Sequence, residues 1–261
     1  MSVPPNGTVS INGDFAHTPP CTDSACLAPS AYTWVRGFPN VLYGIDQCRA
    51  GSSPPSSPRL PLPMQLDVIP PDLIGTAAYS SRTTGVTHDV TYDLWLNHSG
   101  TKTPCRTSGT LEILVMTDYD KGALLPGSMR VGTAVIPFAV GRAARPRTRS
   151  WSIYASNIGR DGWTAAWGGT LWFVPGPADV VHQGRVRVDL SAVLAAAGRL
   201  LHDTYGWAEL APRYWLDTVS FGFEFGPPSG NPLDSGPSRF SARISRFCLG
   251  VRTTLRDATC G

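Results

Sequence analysis

The chain has 261 residues, of which 42% are hydrophobic and 16% charged, and its formal net charge at neutral pH is +3. This balance is typical of a folded globular protein and excludes a disordered one. So small a positive charge also argues against nucleic acid as a partner. Because all-β sandwiches of this length stay undivided, we predict a single domain over residues 1–261, with residues 1–30 as an N-terminal extension of unassigned role.

The cysteines favour an exported protein. They are Cys21, Cys26, Cys48, Cys105, Cys248 and Cys260, with no CxxC pair, and the histidines include no HxxxH pair. This pattern favours disulfides over a metal site, with ~15 pairings open, and we predict neither metal nor cofactor. No apolar run is long enough to cross a membrane, and the N-terminus "MSVPPNGTVS" is not a signal peptide. We therefore expect a secreted, mature chain whose signal peptide has been removed.

The first distinctive segment along the chain is "RAGSSPPSSPRLPLPM", residues 49–64. Its proline and serine content resembles that of an interdomain linker. Too little chain with strand-like pattern precedes it to form a domain, so we predict a long surface loop inside one domain.

Short runs of alternating polarity follow, separated by Gly, Pro, Asn and Asp. They are VTYDLWLN, TLEILVMTDY, SWSIYAS, GTLWFVPG, RVRVDL, DTVSFGFEFG and FSARISRFCLGV. Many short strands with frequent turns favour a β-sandwich or barrel. The basic run "GRAARPRTRSW" lacks interleaved aromatic residues, so a solvated loop leading into a strand is favoured over an anion-binding patch.

One segment, "DLSAVLAAAGRLLHD", has the periodicity of a helix instead. Its apolar positions at helical spacing are Leu190, Val193, Leu194, Ala197, Leu200 and Leu201. Asp189 or Ser191 is available as the N-cap. We predict one amphipathic helix packed on the outside of a sheet protein.

Three of the predicted strands carry an acidic residue on the face opposite their apolar residues. In DTVSFGFEFG, the phenylalanines fall on one side and Glu224 on the other, between glycines. Glu112 and Asp93 occupy the same kind of position in TLEILVM and VTYDLWLN. If the strands share a sheet, the acids line one surface together with Trp95 and Met116. The alternative is three unrelated acids on a solvent-facing sheet.

A surface of this kind suits a sugar. Carboxylates supply acid and nucleophile or base for cleavage of a glycosidic bond, flat apolar groups stack on sugar rings, and amide or hydroxyl groups bind sugar hydroxyls. The candidate sugar platforms are Trp34, Trp95, Trp163, Trp167, Trp172 and Tyr119, each of which could equally be a core residue. Trp95 is the best of them, because it shares the face of Asp93, and Asn97 is a candidate hydroxyl ligand.

The runs "VRGFPNVLYG", "TYDLWLN", "SGTLEILVM" followed by "PG", and "VSFGFEFG" resemble glycoside hydrolase family 12, the small endo-β-1,4-glucanases and xyloglucanases. They occur in the order that this family uses, and the resemblance covers residues 30–255. It implies an all-β fold, a β-jelly-roll sandwich of two curved antiparallel sheets with one packed α-helix and a concave substrate cleft.

By the same resemblance, Glu112 takes the nucleophile position and Glu224 the acid/base position. Asp93 takes the place of an Asp that hydrogen-bonds to the nucleophile. The sequence departs from the family where a tryptophan is usual on the nucleophile strand, because Met116 stands there. Methionine can cover a sugar face, although less rigidly, so this departure bears on the choice of substrate and not on the reaction.

The expected function is that of a retaining endo-β-1,4-glucanase acting on cellulose-like glucan, mixed-linkage β-glucan or xyloglucan. We expect a monomer with a polysaccharide substrate and without nucleic acid or membrane partners. The alternatives are a non-catalytic jelly-roll carbohydrate-binding protein and a transglycosylase on the same scaffold. Retention predicts carboxyl groups about 5–5.5 Å apart, whereas a separation nearer 8 Å would imply inversion.

The charges of the three acids should affect one another. We expect the negative charge of Glu112 to raise the pKa of Glu224. We also expect Asp93 and Glu112 to share a proton in part of the catalytic cycle, because two ionised acids in contact repel.

Overall fold

The structure is a computed structural model that describes residues 9–14, 38, 40–44, 62–84, 86–98, 109–120, 128–141, 146–160, 162–163, 168–226 and 239–251. The expectations for most of residues 1–30, for the loop over 49–61 and for every cysteine except Cys248 lie outside these ranges. Cys248 is buried.

Strands dominate the described part of the chain. They are β1 (Val9–Asp14), β2 (Asn40–Gly44), β3 (Met64–Gln65), β4 (Leu73–Thr84), β5 (Thr87–Asn97), β6 (Leu111–Tyr119), β7 (Met129–Val140), β8 (Arg147–Ser156), β9 (Ile158–Gly159), β10 (Gly162–Trp163), β11 (Gly169–Pro175), β12 (Gln183–Asp189), β13 (Trp215–Gly226) and β14 (Arg239–Val251). Helix α1 runs over Leu190–Tyr205, and short 3₁₀ turns lie at Leu66–Val68 and Pro177–Asp179. All seven predicted strands and the predicted helix are confirmed.

The main sheet is one continuous hydrogen-bonded path in the order β1-β14-β4-β12-β7-β8-β11-β6-β5-β13-β2. Strand β7 connects its two halves, because its last residues pair with β12 and the remainder pairs with β8. The pairs are antiparallel except β11 with β6, which is parallel. The two sheets of the predicted sandwich are therefore halves of one sheet joined through β7.

The two halves face each other across an aromatic core. Phe221 on β13 packs against Tyr79 on β4 and Phe247 on β14, with ring centroids 5.3 Å and 6.1 Å away. Strands β4 and β14 lie near one end of the sheet order and β13 near the other, so the sheet must curl back on itself to bring these rings together. The apolar face predicted for DTVSFGFEFG forms part of this core, with Phe221 and Phe223 fully enclosed.

Helix α1 packs against β7 and β4 through the apolar positions that the sequence indicated. Asp189 is its N-cap, and its side chain accepts a hydrogen bond from the Ala192 backbone N–H at 2.9 Å. Ser191 instead accepts from the Leu73 backbone N–H and donates to the Pro70 carbonyl, which ties the helix to the start of β4. Within the described ranges, no helix combines the length and apolar character needed to span a bilayer.

Candidate active site

The three predicted acids lie on one face of four neighbouring strands, β11, β6, β5 and β13. Glu112 on β6 is directly opposite Trp95 on β5 and Thr170 on β11. Asp93 is two residues from Trp95 on the same face of β5, so it is a diagonal neighbour of Glu112, within reach of a long side chain. The shared face predicted from the period of two is therefore present.

Glu112 is almost enclosed, with 5% of its surface exposed. The Thr170 hydroxyl donates a hydrogen bond of 2.9 Å to Glu112 Oε2. Burial raises the pKa of Glu112 well above its usual value, the charge of Glu224 raises it further, and the Thr170 hydrogen bond lowers it. Thr170 thus favours the ionised form of Glu112, whereas burial and the charge of Glu224 favour its neutral form.

A glycine makes this hydrogen bond possible. Gly168 precedes β11 with φ +98°, a conformation that favours glycine, and a Cβ there would lie 2.2 Å from the Thr110 carbonyl oxygen. The Gly169 backbone N–H donates to that same carbonyl at 3.2 Å. Close approach of the two backbones starts the parallel pairing that sets Thr170 beside Glu112.

Asp93 and Trp95 are joined to each other. The Trp95 indole N–H donates a hydrogen bond of 2.8 Å to Asp93 Oδ2. This bond fixes the plane of the indole ring, which is partly exposed on the face that carries Glu112. A ring held in this way suits the stacking role predicted for Trp95, and the sharing of a proton between Asp93 and Glu112 stays a prediction.

Glu224 lies on the same face as Glu112 but at a different position along the strand direction. It is opposite Asp89 on β5, whereas Glu112 is opposite Trp95, six residues further along that strand. A flat strand would separate the two positions by about 20 Å. The charge of Glu224 nevertheless contributes to the raised pKa of Glu112, so the two carboxyl groups interact electrostatically across this face.

Two residues of this face were not predicted as site residues. Thr170 comes from a strand 58 residues away in sequence, and nothing local indicates its contact with Glu112. Asp89 is fully buried and opposite Glu224. Its position four residues before Asp93 on an alternating strand was a signal for the shared face, although not for the pairing.

The predicted sugar contacts have different surroundings. Met116 is 1% exposed, and Asn97 is 3% exposed with its amide donating to Asp217. Both are enclosed, so contact of either with a sugar stays a prediction. Tyr119 is partly exposed and donates its hydroxyl to the Pro175 carbonyl at 3.0 Å. Trp172 is buried. Trp34 and Trp167, and the side chain of Trp163, lie outside the described residues.

A second polar cluster lies on the opposite face of β5 and β6 and is centred on His88. Its Nε2 lies 3.6 Å from Asp118 Oδ2 and its Nδ1 3.5 Å from Asp120 Oδ2. The exposed His182 contacts the other oxygen of Asp118 at 2.9 Å. Burial alone would lower the pKa of His88, but hydrogen bonds to Asp118 and Asp120, and their charges, raise it to about 9. Among the described residues, no group of three or more His, Cys, Asp or Glu side chains could hold a metal ion.

This cluster predicts loss of stability at alkaline pH. Because the pKa of His88 is higher in the folded protein than its usual 6.5, its contribution is complete below that pH and is lost as the pH rises through about 9. His88→Gln should remove up to about 3 kcal/mol of this pH-dependent difference in the free energy of unfolding, measured by urea denaturation at pH 6 and pH 10. His202→Gln is the control, because this histidine lies on α1 and contacts the Trp207 carbonyl instead of the His88 cluster. If the difference in the free energy of unfolding between pH 6 and pH 10 is the same in His88→Gln as in the wild type, the raised pKa assigned to His88 is wrong.

Comparison with solved structures identifies the fold. A native family 12 xyloglucanase from Bacillus licheniformis aligns with 86% of this chain and 78% of its own, at 19% identity and a TM-score of 0.53. An endo-1,4-β-glucanase, CelB2, gives the same coverage and TM-score at 20% identity. A metagenome-derived family 12 endoglucanase covers 83% of this chain and 73% of its own, at 20% identity and a TM-score of 0.51.

No protein-family model matches the sequence, and no curated protein matches it. The architecture is a β-jelly-roll sandwich with one face of its sheet lined by acids, as expected from the sequence. More particularly, the chain has the fold of the glycoside hydrolase family 12 structures.

Proposed function

We propose that the chain is a glycoside hydrolase of family 12, a retaining endo-β-1,4-glucanase that hydrolyses internal bonds of cellulose-like glucan, mixed-linkage β-glucan or xyloglucan. The observation that carries the proposal is the pair of nearly enclosed glutamates, Glu112 and Glu224, interacting on one face of this fold. The family motifs around both residues and the glucanase and xyloglucanase names of the structural neighbours support it. A binding protein has no need for both acids.

The reaction proceeds in two displacements. Glu224, protonated, gives its proton to the glycosidic oxygen as the bond from that oxygen to the anomeric carbon breaks, and the Glu112 carboxylate forms a new bond to that carbon. Water then attacks the same carbon, loses a proton to Glu224 and releases Glu112. Each step leaves one of the two carboxyl groups without charge, which suits a pair whose charges oppose each other.

The surroundings assist each acid in its role. The Thr170 hydrogen bond favours the ionised form of Glu112. Trp95, held by Asp93, offers a flat surface directly opposite Glu112 for a sugar ring. Burial excludes water from the carboxyl groups, which strengthens their interaction with developing charge on the sugar. The enzyme acts as a secreted monomer with disulfides and needs no cofactor.

Product stereochemistry tests the proposal. Barley β-glucan, carboxymethylcellulose, xyloglucan and xylan are assayed, and the first anomer released is identified by ¹H NMR. Retention gives the β-anomer. Because Glu112 and Glu224 lie at different positions along the strand direction, the α-anomer is the informative alternative, since inverting pairs stand about 6.5–9.5 Å apart. It would remove Glu112 as nucleophile. Binding of all four polysaccharides without turnover would indicate the carbohydrate-binding alternative, and products longer than the substrate would indicate transglycosylation.

A further inference from the structure

Asp89 is a buried acid that the proposed reaction does not use. It lies on β5 directly opposite Glu224 on β13, and both side chains lie on the face that carries Glu112. Its exposed fraction is 0%. Neither of its carboxyl oxygens has a hydrogen bond of regular geometry within the described part of the chain. An ionised carboxylate in such a place is costly, so the neutral acid is favoured.

The charged groups that face Asp89 are acidic. Burial, followed by the charge and side-chain hydrogen bond of Glu224 and then by the charge of Asp120, raises the pKa of Asp89 well above its usual value. From β6, Tyr119 is its direct opposite. The neighbouring residue on β5, His88, points to the other face, where it contacts Asp118 and Asp120. Glu224 is therefore the group with which Asp89 can exchange a proton.

We propose that Asp89 is a positioning residue for Glu224, that the two carboxyl groups share protons, and that Asp89 thereby sets the pH range over which Glu224 stays protonated. The catalytic meaning of this inference rests on the proposed function, in which Glu224 is the acid. At low pH the pair holds two protons. Over an intermediate pH range the pair holds one proton. The negative charge on one carboxyl group then raises the pH at which the other loses its proton.

The composition of the chain makes a direct measurement possible. Its glutamates are Glu112, Glu209 and Glu224, so labelling glutamate with ¹³C at Cδ gives three carboxyl resonances, which are assigned with the three Gln variants. Glu209 is exposed and serves as the reference signal. The experiment follows the Glu224 resonance from pH 3 to pH 10 in the wild type and in Asp89→Asn.

In the wild type we expect Glu224 to titrate in two steps. In Asp89→Asn the coupling to Asp89 is gone and only the weaker influence of Glu112 remains, so the step that Asp89 causes should disappear and the end of the Glu224 titration should move to lower pH by about one unit or more. The alkaline limb of kcat/KM on barley β-glucan should move in the same direction. Asp217→Asn is the matched control, because it neutralises an equally buried acid on β13 that contacts Asn97.

A Glu224 titration in Asp89→Asn that moves no further than in Asp217→Asn would overturn the proposal. Circular dichroism establishes that the variants are folded. Should Asp89→Asn not fold, Asp89→Thr, a neutral residue suited to a strand, carries the same expectation. The NMR measurement needs no activity. If Glu224 titrates together with Asp89 in a protein without turnover, the proposed function is refuted and the proton sharing stands. If the protein turns over substrate but Glu224 titrates independently of Asp89, the proton sharing is refuted and the proposed function stands.

Discussion

Glu112→Gln should lower kcat on barley β-glucan by about 10⁴-fold or more, while the fold and the binding of substrate are retained. The amide has nearly the shape of the carboxylate and can keep the Thr170 hydrogen bond, but it cannot form the bond to the anomeric carbon. The loss is measured as initial rates of reducing-sugar release, and binding as retardation in gels that contain the polysaccharide.

The chain supplies a matched control for this change. Glu209→Gln makes the same substitution at the exposed glutamate, and its rate should equal that of the wild type. Activity of Glu112→Gln within a few-fold of the control would dismiss Glu112 as the nucleophile. A polysaccharide-binding protein without turnover would show no rate in any of the three proteins.

Glu224→Ala should lose about 10²–10⁴-fold on polysaccharide, because the departing sugar oxygen needs a proton. The same variant should still form the glycosyl-enzyme rapidly from 2,4-dinitrophenyl β-cellobioside, whose leaving group departs as an anion without protonation. Water then reacts slowly for want of a base. Added azide, a nucleophile that needs no base, should accelerate turnover and give a β-glycosyl azide, measured by dinitrophenolate release and by NMR of the product.

This behaviour separates the roles of the two glutamates. Glu112→Ala has no residue to form the glycosyl-enzyme, so azide should attack the substrate directly and give the α-glycosyl azide. Equal loss of activity of Glu224→Ala on both substrates, without any effect of azide, would contradict an acid/base role for Glu224.

The sequence predicted those features that depend on local pattern. Alternation of polarity placed the acids of three strands on the face opposite the core, and the register confirms that this face is shared. Helical spacing predicted α1 and its cap at Asp189. In each case the signal lies within one element, because burial of one face alone decides which residues are apolar.

The strands that were missed lack this signal. In β4 the run AAYSSRTT has small and polar residues on both faces, and β7 contains Gly132 and Pro137, which usually interrupt strands. Their extended conformation comes from hydrogen bonds to strands on either side: β4 lies between β14 and β12, and β7 between β12 and β8. The strands that pair in this way are far apart in sequence, so their pairing produces no periodic pattern of polar and apolar residues.

The same reason explains what was missed in the candidate site. Asp89 resembles any polar residue at the start of a strand until the register sets it opposite Glu224. Enclosure of Met116 and Asn97 likewise depends on the packing of several strands and not on the alternation within one. The residue types alone indicated acid–base chemistry on a sugar. The electrostatic coupling between the acids could be found only from their positions in the folded protein.

The parallel pairing of β11 with β6 also bears on how the protein matures. Strands β7 and β8 lie between Glu112 and Thr170 in the chain. Thr170 can therefore donate its hydrogen bond to Glu112 only after these strands have formed and β11 has paired with β6. Contacts between such distant segments form late, because the loop that joins them must first be closed at an entropic cost. A nascent chain that has passed Glu112 thus already contains its proposed nucleophile, but this residue gains the hydrogen bond that favours its ionised form only when Thr170, 58 residues later, has been synthesised and β11 has docked.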